Sequence, residues 1–256
     1  MEKGFCFNAL IDLFEKIVWA VGKGVGPDMR EYCANNLDET HNALKLIRGD
    51  KINTNLRALV EKSETLELRS FKRCSWAGRV LIDRVNKITL TICTRQTFDA
   101  ILKKKDRTRP HYQMSIAYIE NANVKSKCEP SSLFPGISLP FSKEEYLLDY
   151  QEIMGEDVLG EDGYKHLIVV YQAANFQVTD ISVILTDKNL VKVEEYPLNE
   201  LLRPDINDLT AESYDYEISQ KDVHKLVKVK VKEKLIKRDS RQKKLVIAKV
   251  QEDEQA

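Results

Sequence analysis

Two clusters of positive charge carry the clearest chemistry in this 256-residue sequence. The first is the run Lys103, Lys104, Lys105, Arg107 and Arg109, opposed only by Asp106 and followed directly by His111 and Tyr112. Closely spaced cations neutralise phosphates by displacing condensed counterions, and an adjacent tyrosine offers a face on which a base stacks. The same lysines would also complement the dipole at the C-terminal end of a helix, a role that needs no ligand. The second cluster holds Lys228, Lys230, Lys232, Lys234, Lys237, Arg238, Arg241, Lys243 and Lys244, with Glu233 and Asp239 as opposing acids. Val227, Val229 and Val231 alternate with its first lysines, and a period of two puts valine on one face of a strand and lysine on the other. Such a face tracks a nucleic-acid backbone without reading its sequence. Edge-strand lysines also prevent pairing with other chains, although the density here exceeds what that requires.

Other constellations are weaker. Gly22, Gly24 and Gly26 invite a phosphate-loop reading, but they follow a helical pattern and precede Pro27, whereas a phosphate cradle opens onto a helix N-terminus. Neither Cys-x-x-Cys nor His-x-x-x-His is present, and His41, His111, His166 and His224 are far apart. Glu156, Asp157, Glu161 and Asp162 lack the ligand alternation of a calcium loop and read as a solvated acidic turn. Gly-x-Ser-x-Gly is absent. Cys74 sits beside Lys72 and Arg73, whose charges favour a thiolate, yet a small, partly buried residue is the simpler reading. One type of metal-dependent nuclease needs an acid on one strand and acid-x-lysine on the next, and no Asp or Glu in this chain is followed two residues later by lysine. No cofactor motif emerges.

Lysine plus arginine equal aspartate plus glutamate at 40 each, so any anion binding must come from local clusters rather than net charge. Hydrophobic residues at 43% and charged residues at 31% are globular proportions. The N-terminus lacks the layout of a secretion signal, and no apolar run is long enough to span a bilayer, so no membrane association is expected. Five scattered cysteines, an odd number, fit reduced thiols and a cytoplasmic location.

The elements that must position these residues follow from periodicity. Phe7, Leu10, Ile11, Phe14, Ile17, Val18 and Val21 mark one helical stripe, predicted to end in a loop at Gly22 to Pro27. Residues 38–48 and a segment starting at Asp50 read as two short helices separated by Gly49, and the stretch after Val60 as a polar connection. Val80 to Val85 and Ile88 to Cys93 predict a β-hairpin. A helix pair followed by a hairpin has the order of a winged helix, with Lys51, Asn53, Asn55 and Arg57 as candidates for groove contacts. Helices are expected after Thr94 and after Pro110, and Ser142 with Glu145 forms a capping box that starts another. Strands follow at 166–171, 178–186 and 190–196, as an antiparallel meander.

The segments Ile47–Leu56 (IRGDKINTNL), Ser75–Asp83 (SWAGRVLID) and Arg109–Tyr112 (RPHY) resemble stretches of an uncharacterised protein family of Gram-positive bacteria. The resemblance lies mainly in residues 1–120. It implies a bacterial or bacteriophage setting and assigns no activity.

The expected fold class is α+β: a helical N-terminal region with a β-hairpin at 1–124, a linker at 125–141, and a helix plus antiparallel meander at 142–202. An acidic connector at 203–220 and a basic hairpin at 221–256 complete it. The function expected from the residues is that of a non-catalytic accessory or regulatory protein that binds DNA or RNA through its basic segments. The alternatives are a protein-interaction module, as in a phage or defence system, that meets an acidic protein partner, and a divergent metal-dependent nuclease. Oligomeric state is not legible at this level.

Overall fold

A computed structural model of the chain describes residues 7–36, 42–101, 103–104, 107–125, 141–155, 160 and 162–202. The predicted connector at 203–220 and basic hairpin at 221–256 lie outside those residues, as does most of the linker at 125–141. Six strands form one sheet in chain order: β1 (Leu66–Arg73), β2 (Trp76–Asp83), β3 (Ile88–Thr94), β4 (Lys165–Ala174), β5 (Gln177–Thr186) and β6 (Lys192–Pro197). Pairing is antiparallel throughout except between β3 and β4, which run parallel. A parallel pair needs a long crossover, supplied by α4 (Arg95–Ile101), α5 (Tyr112–Glu120) and α6 (Lys143–Met154). The predicted hairpin and the predicted meander are therefore halves of one sheet, and Met1–Pro204 is a single compact unit.

Helices cover both faces, giving a mixed α+β architecture of three layers. On one side α1 (Ile11–Val25) and α3 (Leu44–Val60) lay Phe14, Ile17, Val21, Ile52 and Leu56 against Leu90, Val169 and Val183. On the other, Tyr112, Ile116 and Tyr150 of α5 and α6 pack on Val80 and Ile82, while Ile101, Met114 and Tyr146 pack on Ile168, Val170 and Ile184. The central strands β4 and β5 are buried on both faces, which explains why their sequences read as nearly unbroken apolar runs. Each fully buried Ile or Phe in these layers contributes roughly 1.5–3 kcal/mol relative to exposure.

Local signals hold where capping chemistry is explicit. Ser142 accepts from the Glu145 N–H at 3.2 Å while Glu145 accepts from the Ser142 N–H at 2.7 Å, so the predicted capping box starts α6. Asp83 accepts the N–H groups of Val85 and Asn86, both at 3.0 Å, closing the predicted turn between β2 and β3.

Three expectations are corrected. The loop predicted at Gly22 to Pro27 is the last turn of α1 followed at once by α2 (Pro27–Asn35), with Pro27 in the first turn, where its missing N–H costs nothing. A Cβ on Gly24 would stand 2.7 Å from the Ile52 side chain and 2.8 Å from its backbone nitrogen, so this glycine marks a close helix contact rather than a helix end. The two helices predicted around Gly49 are one, α3, and the helix-turn-helix order of a winged helix is thereby absent from this segment. The polar connection after Val60 contains β1, whose turn into β2 at Cys74-Ser75 places Cys74 at φ 53. No helix among the described residues is long and apolar enough to cross a membrane.

Candidate functional site

The sheet is split between β2 and β3. β1 and β2 pair along their whole length, from Leu66↔Asp83 to Arg73↔Trp76, and β3 pairs with β4 from Ile88 to Thr94. Between β2 and β3 only Leu81↔Leu90, Ile82↔Thr89 and Asp83↔Ile88 are joined. Trp76–Val80 and Thr91–Thr94 therefore diverge, and the β1–β2 hairpin leans away with its outer end anchored elsewhere. Phe71 packs on Tyr112 with ring centroids 5.2 Å apart, and Arg73 donates to the Pro110 carbonyl at 2.7 Å. Gly78 permits this anchoring: it lies opposite Phe71, whose ring occupies the space a Cβ would need.

The divergence opens a cleft of about 600 Å³ roofed by α3. Its apex is apolar, formed by Leu81 and Leu90 with Leu56 and Ile17 above. Its mouth is cationic and aromatic, with Lys45, Arg79, Trp76 and the Asp149-paired Arg73, and Asp50 is the one carboxylate in the lining among the described residues. Lys45 and Arg79 have no carboxylate partner among the described residues; Arg79 donates only to the Gly78 carbonyl, at 3.0 Å. Arg48, one turn along α3 from Lys45, keeps a buried Nε without a hydrogen-bond partner. Its charge opposes the burial that raises the phenol pKa of Tyr171, another residue of the cleft wall. Trp76 is 42% exposed, and its ring lies 5.4 Å from that of Tyr112. His111 forms part of the same wall; burial, then the charges of Arg107 and Arg73, push its pKa down to about 3, so it is neutral at physiological pH.

The predicted basic run divides on inspection. Lys103 and Lys104 are exposed, and Lys105 lies outside the described residues. Arg107 donates to the carbonyls of Ile101 and Lys104 and is close enough to His111 to act on its protonation. Arg109 is held by Asp149 at 2.6 Å and Glu152 at 2.7 Å, so much of its charge is already matched. Tyr112 is buried, with one side turned to the cleft. Lys228, Lys230, Lys232, Lys234, Lys237, Arg238, Arg241, Lys243 and Lys244 fall outside the described residues. Of Lys51, Asn53, Asn55 and Arg57, Asn53 lines the cleft, whereas Asn55 is buried and donates to Asp28 at 2.7 Å.

Beneath α5 lies a second polar group, sealed from solvent. His166 on β4 meets Thr89 at 2.8 Å through Nδ1 and Thr91 at 3.1 Å through Nε2. Gln113 donates to Thr91 at 2.9 Å, and Glu120 accepts from Thr89 and, at 2.8 Å, from Tyr150. Burial pushes Glu120 up to about 7 and His166 down to about 3. The bonds run as one chain from Gln113 through Thr91, His166, Thr89 and Glu120 to Tyr150, all of them buried, and the Gln113 Oε1 is left without a partner. Nearby, Asp149 gathers Arg73, Arg109 and Ser115 at the turn end of the hairpin.

Cleft and seam depend on residues that sequence patterns left unassigned: Lys45, Arg79 and Trp76 for one, Glu120 and His166 for the other. A usable signal existed for the first group. Leu66 and Leu68 alternate with charged residues ahead of Cys74-Ser75, a strand-turn-strand pattern that would have placed Trp76 and Arg79 on β2. For Glu120 and His166, 46 positions apart in the chain, none did.

No curated protein and no solved structure matches the chain. The model of a family of unknown function, DUF5986, matches residues 11–250, which is nearly the whole sequence, and the chain belongs to that family.

Proposed function

We propose that this protein is a non-catalytic nucleic-acid-binding protein that engages single-stranded DNA or RNA through the split between β2 and β3. The observation that carries the reading is the charge of the cleft: Lys45 and Arg79 lack a carboxylate partner among the described residues, Arg73 is matched by Asp149, and Asp50 is the one acid in the described lining. Cations without carboxylates and an exposed indole lining one cleft are what a phosphate-linked chain of aromatic bases requires. At about 600 Å³ the cleft is too small to take in a duplex, which favours one strand. A lone carboxylate in the lining suits an anion receptor better than a hydrolytic metal site, which draws on paired carboxylates. Arg107, whose charge reaches His111 in the cleft wall, and the exposed Lys103 and Lys104 that precede it in the chain supply further positive charge for a bound strand.

The test is a salt titration of binding to short single-stranded DNA and RNA. Affinity is expected to fall linearly in log units with log salt, and Lys45→Ala combined with Arg79→Ala to lower that slope by about 2, one per lost phosphate contact. Absent binding, or binding indifferent to salt, overturns the proposal.

A further inference from the structure

We infer that the split is a receptor for a single nucleotide unit, with the base inserted between β2 and β3 toward the apolar apex and its phosphate held at the mouth. The inference rests on the nucleic-acid reading above and adds to it which part of the strand is recognised.

Three observations converge on that ligand. The first is the polarity gradient. Leu81, Leu90, Leu56 and Ile17 line the closed end, while Lys45 and Arg79 stand at the open end. A ligand that satisfies both is amphipathic, with a flat apolar portion joined to an anionic one. A nucleotide has that form, whereas a bare phosphate or an aliphatic chain satisfies only one end.

The second is the backbone of the diverging strands. In a strand the main-chain N–H and C=O groups point alternately to its two sides. β1 takes those on one side of Trp76–Val80, and β4 takes those on one side of Thr91–Thr94. The groups on the facing sides have no strand partner, because β2 and β3 no longer pair there. Backbone polar groups in an open recess bond to water or to a ligand that replaces it. The edge of a nucleobase supplies donors and acceptors in one plane, and that plane matches the gap between two strands.

The third is scale. At about 600 Å³ the cleft falls within the range of roughly 300–1,000 Å³ typical of small-molecule sites. It admits one nucleotide with its sugar, not a length of strand. Trp76, half exposed at the rim and 5.4 Å from Tyr112, is placed to stack on the inserted base or on its neighbour.

The experiment uses the full chain carrying Trp19→Phe, which removes the other of the two tryptophans and leaves Trp76 as the sole indole reporter. Binding is measured for a short single-stranded DNA homopolymer and for a strand of the same length built entirely of abasic sites. The intact strand is expected to quench Trp76 and to bind about tenfold more tightly than the abasic one, the scale of one stacked base. Ala77→Phe, at an exposed position of the cleft wall, is expected to abolish that preference while leaving salt-dependent binding of both strands. Equal affinity and equal quenching by the two strands overturns base insertion and leaves the phosphate-binding reading in place. Failure of both strands to bind the protein overturns both.

Discussion

The two polar regions that meet on β3 follow opposite rules. In the seam under α5, Thr89 and Thr91 join His166, Gln113, Glu120 and Tyr150 in a set of mutual hydrogen bonds from which water is excluded. A few residues along, where β3 parts from β2, Lys45 and Arg79 line an open cleft without carboxylate partners among the described residues. Groups in a low-dielectric interior must be satisfied internally, or their desolvation is lost outright. Groups at a cleft mouth retain water until a ligand replaces it. The contrast teaches that strong perturbation of protonation is not by itself a sign of a site here. Glu120 and His166 are shifted by burial inside a sealed structural seam, while His111, pushed down as far, stands in the cleft wall, so the size of a shift does not separate the two regions.

The largest way to break this contrast is to unseal the buried side. Asp149 is 4% exposed and neutralises Arg73, which is itself mostly buried. Asp149→Ala strands that guanidinium, and urea unfolding is expected to show a loss of about 3–5 kcal/mol with an unchanged m-value. A loss below about 1 kcal/mol would place Arg73 in water and the turn end of the hairpin outside the core.

A smaller effect comes from titrating the seam. Glu120 is raised by burial, partly offset by hydrogen bonds from Thr89 and Tyr150, to about 7 from an ordinary 4.5. Between those values the folded chain binds more protons than the unfolded chain, so this carboxyl makes stability fall as pH rises through the window. The full effect is about 3 kcal/mol for a shift of that size. Glu120→Gln should remove this decline from a pH series of unfolding free energies, and an identical slope in both proteins contradicts a sealed carboxyl. Glu195 works in a separate window. Burial pushes it up, but hydrogen bonds from Lys192, Arg95 and Ser182 outweigh that and hold it at about 2. Its contribution is therefore present above pH 4.5 and lost as pH falls toward 2.

The smallest expected change sharpens the comparison from the open side. Lys45→Ala and Arg79→Ala, made singly, should shift unfolding free energy by no more than about 0.5 kcal/mol, since neither side chain closes an ion pair among the described residues. A loss of several kcal/mol from either would mean that the cleft cations hold the fold together.

How much of this was legible depended on range. The capping box at Ser142, the turn at Asp83 and the strands of the meander are set by contacts within a few residues, and their patterns were readable. Gly24 misled because glycine both ends helices and admits a neighbour, and only the arrival of Ile52 against it shows the second use, whereas Gly49 lies inside α3 with open space beside it and does neither. β1 was passed over because an edge strand carries charge on its open face and so resembles a connection. Among the basic residues of the first half, charge density pointed to Lys103 through Arg109, yet Arg109 is taken by Asp149 and Glu152, from 40 positions away or more. Arg79, which stands alone among apolar neighbours in the chain, faces the cleft.

The sequence by itself determined the fold class, most of the helices and strands and their caps, since periodicity and capping are local and the side chains that enforce them are neighbours along the chain. Only the tertiary structure decided that the two strand groups form one sheet, that the sheet parts between β2 and β3, and which cations are left without carboxylates. Those outcomes are set by contacts such as Arg73 with Asp149 and His166 with Thr89, more than seventy positions apart, where no local pattern records who will meet whom.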